Sequence, residues 1–413
     1  MASWFQRLLG KASAVPAGQT DLFPDGSQEF YDDPYPFYDV LRRDHPFHRT
    51  PDGAWVISRF CDIKEALDHP SLGNRPSRFS TLNPSKSERF VCANLANNIM
   101  PFLDGIPHKE QRRLVARIFQ REVKAFAPRL TELASQAVND LPETFEVIEE
   151  FAHPFALQMI CEILGIPVDP KLRTWSGSFF YLFTKIPTAE VREEVDHHLT
   201  QFRQWVSDCF QSEKRNGVLG ALFELVSEGE LDEAVAIDTI ILLFADGLEN
   251  VDSGIGNALL AFSRFPKQWE KFREDSSLVK QAVDEVLRFD SPAQYIARTC
   301  LEDFEWHGHL FKKDMSVILL LASGNRDEEA FPNAAEFDIS RSPNSHLSFG
   351  HGKHSCLGSR LVEQELAAIL TALCEKVSSI ESKGPITWQK RTGHRWMNEG
   401  TFIIKMCADR EVI

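Results

Sequence analysis

The chain has 413 residues and a formal net charge of −15 at pH 7, with 43% hydrophobic and 25% charged residues. This composition is typical of a globular protein with a large core and argues against widespread disorder. The acidic balance argues against a nucleic-acid or anionic-membrane binder, because both need a basic surface. No apolar run approaches the length of about 18 residues that spans a bilayer. The N-terminus MASWFQRLLG also lacks the apolar core and cleavage site of a signal peptide, so we expect a protein that is neither secreted nor anchored.

The cysteines are scattered and form no CxxC pair. They lie at positions 61, 92, 161, 209, 300, 356, 374 and 407. In a chain of this length such spacing does not indicate a disulfide scaffold. We therefore expect a reducing compartment, the cytoplasm.

The first 30 residues are rich in Gly, Pro, Ser and Asp, which predicts a loosely ordered lead-in. The short β-branched segment GAWVISRF (53–60) predicts a strand. CDIKEALDHP, which follows it, predicts a short helix that ends before a proline.

Between about Pro107 and Phe265 apolar residues recur three and four positions apart, as in EFAHPFALQMICEILGIP and in the stretch 231–265. This spacing predicts helices. Strand-like pieces return at 297–306, 309–323 and 401–407. No repeat and no Pro/Gly/Ser linker divides the chain, so residues 31–413 are predicted to form a single, mainly α domain with small β-sheets.

The segment FGHGKHSCLG places Cys356 in a glycine-rich loop, just before the helical pattern LGSRLVEQELAAILTALCEKV. Glycines suit a backbone that turns sharply or approaches another group closely. A cysteine at a helix N-terminus is favoured as a thiolate, which can act as a nucleophile or a metal ligand. Two other interpretations stay open at this point, a buried inert cysteine and a zinc site formed with His351 and His354.

The segment matches the haem-binding pattern F-G-x-G-x-H-x-C-x-G at every signature position and so resembles the cytochrome P450 family. The matching residues are Phe349, Gly350, Gly352, His354, Cys356 and Gly358. The resemblance implies the cytochrome P450 fold and a bound haem b (iron protoporphyrin IX) with Cys356 as the thiolate ligand of the iron. It also implies that Phe349 packs near the sulfur, that Gly350 lets the backbone approach the macrocycle, and that His354 reaches a propionate.

Glu285 and Arg288 lie three apart in AVDEVLRF. In isolation such a pair is more often a solvated surface pair. The resemblance instead implies the E-x-x-R helix of the family, with Arg341 as the third member of a network that braces the haem loop.

His108 and Arg112 are four apart in GIPHKEQRRLV and share a helix face. In isolation, a solvated helix in a charged segment is the preferred interpretation. The resemblance implies that both reach the haem propionates, with Arg298 as a further propionate partner, because buried carboxylates need such donors.

The segment FADGLENVDSG carries Asp246, Glu249 and Asp252 inside an otherwise apolar helical pattern. Burying ionisable groups is costly unless they are paired or functional, although Asp252 fits a solvent-facing stripe equally well. The segment resembles the distal helix of the family, A-G-x-[DE]-T, and this implies catalytic roles for Asp246, Glu249 and Asn250. Asp246 replaces the usual small residue of that pattern, and Asn250 replaces the usual threonine.

The resemblance covers nearly the whole chain after about residue 30. It implies a monooxygenase that inserts one oxygen atom from O2 into a medium-sized, mostly apolar molecule, as in secondary metabolism. Because Asn250 is a weaker proton donor than a hydroxyl-held water, a peroxygenase, an oxidative coupling enzyme, a dehydratase or an isomerase stays open, as does a non-catalytic haem sensor.

The resemblance also implies where the substrate binds. The roof of the pocket would come from residues 79–103 and 176–189. Its walls would include Leu243, Phe244, Gly247, Ala293, Gln294 and residues near Trp396.

No flavin or nicotinamide domain fits in this length beside the fold, so we expect a monomer that receives electrons from a ferredoxin or flavodoxin and its reductase. A basic docking patch on the cysteine side would offset the acidic net charge. Its expected members are Arg112, Arg113, Lys353 and Arg360.

Overall fold

A computed structural model describes residues 22–24, 26–183 and 188–407. Within them helices predominate and the strands form three small sheets, so the mainly α fold predicted from the sequence is confirmed. The helices are α1 Gln28–Asp32, α2 Tyr35–Asp44, α3 Phe60–Asp68, α4 Val91–Asn98, α5 Gly105–Asn139, α6 His153–Leu164, α7 Leu172–Phe179, α8 Ala189–Gln211, α9 Gly217–Ser227, α10 Glu233–Arg264, α11 Pro266–Glu274, α12 Val279–Phe289, α13 Leu321–Gly324 and α14 Ser359–Lys376.

The strands are β1 Phe47–Arg49, β2 Trp55–Ile57, β3 Leu72–Gly73, β4 Thr144–Glu146, β5 Ile296–Cys300, β6 Phe304–Trp306, β7 His309–Phe311, β8 Ser316–Leu319, β9 Val377–Trp388 and β10 Met397–Met406. One sheet has the order β1-β2-β8-β5-β3, a second β4-β10-β9, and β6 pairs with β7. Among these described strands, only β2 and β8 run parallel to each other; the other pairs are antiparallel.

Helix α10 runs through the core of the molecule. It starts where the Asp232 side chain accepts hydrogen bonds from the amides of Ala234 and Val235, an N-cap that satisfies two otherwise unpaired donors. Most of its residues are buried on every side, which explains its nearly continuous apolar sequence. It packs against α6, α7, α8 and α14, so a polar residue in its middle points either into a cavity or at a neighbouring helix.

Several strand predictions need correction at their ends. The predicted strand 53–60 is only Trp55–Ile57, because Gly53 has a positive φ of 91° and Phe60 begins α3. The predicted pieces 297–306 and 309–323 each contain two separate elements or more. A turn at Asp314, whose φ is 68°, separates β7 from β8. Strand β9 was not predicted, because its middle is polar and exposed and so lacks alternation.

The predicted lead-in at residues 1–30 lies largely outside the described residues. In its described part, Phe23 and Phe30 are buried and pack edge to face, with ring centroids 5.3 Å apart. Packed structure therefore already exists within this segment.

Among the helices of the described residues, we find none with the length and apolar character needed to cross a bilayer.

Candidate active site

The loop before α14 is shaped by glycines in the left-handed region. Gly350 and Gly352 have φ values of 66° and 71°, which disfavour any other residue. The Cys356 amide donates a 2.8 Å hydrogen bond to the Phe349 carbonyl and closes the loop. A Cβ on Gly350 would meet no atom within 4 Å, whereas one on Gly352 would lie 2.1 Å from Asp68 Oδ1. Gly350 thus borders open space, as expected for a cofactor cradle, but Gly352 is needed to accommodate Asp68.

The Cys356 thiol faces an internal opening. Its surface is accessible, yet burial raises the pKa of this thiol to about 11, opposed by the amides of Gly358 and Ser359 at the start of α14 and by Arg112. An accessible group in a poorly solvated place must face a cavity inside the molecule. The charge of Asp246 on α10 also raises this pKa, so the Asp246 carboxylate lies within electrostatic range of the thiol.

The predicted propionate partners come together from three elements, and several of their polar groups have no partner. His108 on α5 and His354 of the loop stack with ring centroids 3.9 Å apart. Their Nε2 atoms are buried and make no hydrogen bond within the described chain. His354 Nε2 lies 3.4 Å from Asp104 Oδ1, but without hydrogen-bond geometry. Burial and the neighbouring His354 and Arg112 lower the pKa of His108 to about 4.

Arg298 on β5 is only 7% exposed, and its one hydrogen bond among the described residues goes to the Ala297 carbonyl at 2.9 Å. Burial lowers its pKa to about 10, opposed only by the charge of Asp104. Arg112 donates to the Ser355 carbonyl at 2.7 Å. A buried guanidinium without a counter-ion is costly. This donor set therefore fits an anionic group held beside Cys356, as the propionates of haem would be.

The zinc alternative lacks geometric support. His351 Nε2 lies 3.4 Å from Asp68 Oδ2, whereas His354 stacks on His108. No group of three or more His, Cys, Asp and Glu residues in the described part of the chain is arranged to hold a metal ion. The two histidines flank the cysteine in sequence but point at different neighbours.

The predicted E-x-x-R network is formed, and its Glu285–Arg288 pair is fully buried. Glu285 and Arg288 are both 0% exposed and joined by two hydrogen bonds of 2.8 Å. Arg341 Nε lies 3.2 Å from Glu285 Oε2. Arg288 also donates to the Asn325 carbonyl, and the Asn325 side chain accepts from the Leu347 amide at 2.6 Å. A chain of hydrogen bonds thus runs from α12 to the segment that enters the cysteine loop.

Asn250 is oriented by two contacts. Its Nδ2 lies 3.5 Å from the Asp246 carbonyl one turn earlier, and its Oδ1 accepts a 3.2 Å hydrogen bond from Trp396 Nε1. Trp396 is 1% exposed and packs edge to face on Phe180, with ring centroids 4.7 Å apart. Sequence reasoning placed Trp396 near the pocket but missed this bond, since 146 positions separate the two residues.

Glu249 lies beside a polar cavity of about 240 Å³, which is also lined by Arg173, Asp252 and Arg391. Burial and the charge of Asp252 raise the pKa of Glu249, and Arg391 opposes this. Such a cavity has the room and the polar partners to hold ordered water. The solvent-facing interpretation of Asp252 is wrong: this residue is 5% exposed, and its Oδ2 lies 2.8 Å from His153 Nδ1.

The residues predicted to contact the substrate differ in their burial and in their contacts within the protein. Leu243 and Phe244 are buried, and Phe244 packs edge to face on Phe202, with ring centroids 5.7 Å apart. A Cβ on Gly247 would lie 2.6 Å from Ile160 Cδ1, so this glycine permits close packing against α6. The role of these three residues as pocket walls stays a prediction.

Ala293 is half-buried and forms a β-bridge with His394. Gln294 uses both polar ends within the protein: its Nε2 donates to the Ser291 carbonyl at 2.7 Å, and its Oε1 accepts from Tyr38 at 3.1 Å. Because both ends of its amide are already engaged, Gln294 has little hydrogen-bonding capacity left for a substrate.

The two predicted roof segments touch each other. Phe102, after α4, stacks on Phe183 with ring centroids 5.1 Å apart. Helix α4 is tied to α10 through a 2.7 Å hydrogen bond from Asn98 to Asp238. The roof positions 184–187 lie outside the described residues. The described parts of both segments therefore form one layer that is anchored to the distal helix.

Comparison with known proteins supports this interpretation. Residues 176–381 match the family model for cytochrome P450. The biotin biosynthesis cytochrome P450 of Bacillus subtilis is 30% identical over 86% of this chain and 91% of its own length. The vitamin D(3) 25-hydroxylase of Pseudonocardia autotrophica is 30% identical over 84% and 86%, respectively.

Solved structures give the same result. P450BioI in complex with an acyl carrier protein ligated to hexadec-9Z-enoic acid superimposes with a TM-score of 0.85 at 28% identity, over 91% of this chain and 100% of that one. P450 RauA, complexed with a biosynthetic intermediate of aurachin RE, gives 0.80 at 30% identity, over 92% and 98%. From the cysteine loop, the buried E-x-x-R network and these relatives, the chain belongs to the cytochrome P450 family and is an oxidoreductase of the monooxygenase class.

Proposed function

We propose that this protein is a cytoplasmic, monomeric haem b monooxygenase that inserts one oxygen atom from O2 into a medium-sized, mostly apolar substrate. The observation that carries the proposal is the accessible Cys356 thiol beside unpaired donors on His108, His354 and Arg298. These residues would hold the iron and the propionates. Haem, when bound, supplies the centre at which oxygen is activated. All eight cysteines are free in the described structure, which supports a reducing compartment.

The residues of α10 would divide the remaining tasks. Glu249 borders the polar cavity, and its raised pKa suits it to hold a proton more readily than a solvated carboxyl group does and to pass it on to water in the cavity. Asn250, fixed by Trp396, would offer its amide as a hydrogen-bond donor and position a water. The apolar roof that joins Phe102 to Phe183 would exclude bulk water from the opening.

The substrate class rests on the lining and on the relatives. The roof segment 179–183 is apolar, with Phe179, Phe180 and Leu182 buried. One relative is named as a hydroxylase of vitamin D(3) and another, from Streptomyces fradiae, as a monooxygenase of 20-oxo-5-O-mycaminosyltylactone. Both names support an organic molecule larger than a simple metabolite, as in secondary metabolism.

Electrons would come from a ferredoxin or flavodoxin with its reductase. Arg113, Lys353 and Arg360 are exposed around the cysteine loop and the start of α14, where an acidic carrier would meet complementary charge. Arg112 is bound to Ser355, so it serves the loop more than the surface.

The first test is the ferrous–CO difference spectrum of the purified holoprotein. We expect a Soret band characteristic of thiolate ligation, and its loss in Cys356→Ala. Turnover is then measured with surrogate reductases and, separately, with hydrogen peroxide. A wild-type protein without the thiolate band would overturn the proposal.

A peroxygenase or another non-standard haem-thiolate reaction, such as oxidative coupling, dehydration or rearrangement, is the second candidate. Asn250 favours it, because an amide replaces the hydroxyl group and is engaged by Trp396. Turnover with peroxide but not with reductases would support a peroxygenase, and conversion without any electron donor would support a rearrangement or dehydration.

A further inference from the structure

Asp246 differs from three other acidic residues of α10. Asp238 binds Arg203 at 2.6 Å, Asp252 binds His153 at 2.8 Å, and Glu249 feels the charge of Arg391 beside the polar cavity. No hydrogen bond or ion pair to the carboxylate of Asp246 is found within the described residues. It is therefore the one of these four carboxylates on which no opposite charge of the described residues acts.

The Asp246 side chain also faces the opening. It is half-buried, whereas its neighbours Ala245 and Phe244 are fully buried, and its charge acts on Cys356 across the opening. Burial alone raises its pKa to about 7. A carboxylate in an apolar space is costly unless an opposite charge meets it.

No cation of the described residues acts on the Asp246 carboxylate, because burial is the one cause of its raised pKa. Arg112 donates to the Ser355 carbonyl, and the charge of Asp104 acts on Arg298 and His108. Arg391 acts on Glu249. A partner for Asp246 would therefore have to enter the opening with a ligand.

We propose that Asp246 binds the positively charged nitrogen of a substrate whose remaining surface is apolar. This inference rests on the proposed function, because it takes as the substrate space the part of the opening on the α10 side that a haem bound to Cys356 would leave free. The nitrogen would anchor the molecule on α10, and the distance from nitrogen to the oxidised carbon would set which carbon reaches the reaction centre.

The test uses two probes of equal shape. (4-Phenylbutyl)trimethylammonium carries a permanent charge and cannot ligate iron through its nitrogen, and (5,5-dimethylhexyl)benzene is its neutral isostere. Both are titrated into the holoprotein at about pH 8, above the pKa of about 7 of Asp246. The Soret shift and equilibrium dialysis give two independent Kd values for each probe.

The ratio of the Kd of the neutral probe to the Kd of the cation measures the preference for the charged probe. We expect this ratio to fall by about tenfold or more in Asp246→Asn, because a close charge pair contributes that much to affinity. Asp246→Ala should lower it similarly. Asp252→Asn removes the same charge from the same helix at a residue already paired with His153, so it should leave the ratio unchanged. This control separates direct contact from long-range attraction.

An unchanged ratio in Asp246→Asn would overturn the inference while the thiolate band of the same samples still supports the proposed function. An equal fall in Asp252→Asn would overturn it too, because contact with Asp246 would then not be the cause. Absence of the thiolate band in the wild-type protein would overturn both.

Discussion

Replacing Arg288 by methionine should destabilise the protein strongly, although the residue lies outside the active site. Arg288 is 0% exposed and donates two 2.8 Å hydrogen bonds to Glu285. It also donates to the carbonyls of Asn325, Ala334 and Glu336 at 2.8–2.9 Å. Methionine keeps much of the volume but none of these bonds.

The magnitude follows from burial. Removing one partner of a buried ion pair costs about 3–5 kcal/mol, because the other charge stays buried. Glu285 would keep Arg341 and the Asp338 amide, which places the expected loss near the lower end of that range. Since domains are stable by only about 5–15 kcal/mol, this is a large fraction of the free energy of unfolding.

Urea unfolding, followed by far-UV circular dichroism, measures the loss as a change in midpoint at constant slope. The matched control is Arg129→Met. Arg129 also binds two carboxylates, Glu132 and Glu162, each at 3.0 Å, but it is 36% exposed. A solvent-exposed ion pair contributes little to stability, because water screens it, so the control should unfold close to the wild type.

A second readout follows from the link between Arg288 and the cysteine loop. Arg288 binds the Asn325 carbonyl, and Asn325 holds the Leu347 amide. Arg288→Met should therefore also lower the fraction of protein that shows the thiolate band at a urea concentration where the control retains it. If Arg288→Met and Arg129→Met differed by less than about 1 kcal/mol, the argument from burial would be refuted.

Three further predictions concern other sites. Glu365 is 0% exposed, neither of its carboxylate oxygens has a partner in the described structure, and burial raises its pKa well above 4.5. The native state then keeps a proton that the unfolded state loses, so stability should fall as pH rises above 4.5, by up to about 1.4 kcal/mol per pH unit. Urea unfolding across pH should show this fall abolished in Glu365→Gln and kept in Glu375→Gln, on the exposed side of the same helix. Trp396→Phe removes the hydrogen-bond donor to Asn250 but keeps an aromatic ring. The share of electrons released as hydrogen peroxide should therefore rise several-fold, while the thiolate band stays unchanged. An unchanged share would show that this bond does not govern how electron use is coupled to substrate oxidation. Arg113→Glu should slow reduction by an acidic electron carrier several-fold at low salt without altering the Kd of the substrate. The control Lys405→Glu, on β10, should leave the reduction rate unchanged. Equal stopped-flow reduction rates for the two variants would show that the docking patch is misplaced.

Local patterns predicted the helices well. The stretch 231–265 contains α10, Glu233–Arg264, within two residues at each end, because an N-cap acid, a long apolar run and a following proline are local features. Strand ends were predicted less well. Strand β9 in particular exists because β10 pairs with it along nearly its whole length, and sequence periodicity cannot show such a partner.

For the site, the resemblance predicted positions that spacing alone did not. Glu285 and Arg288 have the spacing of a surface pair, and only the surrounding carbonyls and Arg341 make them a buried network. The contacts between distant segments could not be predicted. Trp396 with Asn250 and His153 with Asp252 are brought together by the fold, and neither pair has a local pattern.

The acids of α10 show how one apolar helix can serve different tasks. The helical period sets the direction in which each side chain points. The neighbouring element in that direction therefore decides whether the carboxylate has a partner. Asp238 meets Arg203 of α8, Asp252 meets His153 of α6, and Glu249 meets a polar cavity. Asp246 has no hydrogen bond or ion pair to its carboxylate within the described residues, and its charge acts on Cys356. A carboxylate kept there at the cost of its own desolvation is most simply explained by a ligand that compensates it, and this makes the charge of the substrate the property to determine first.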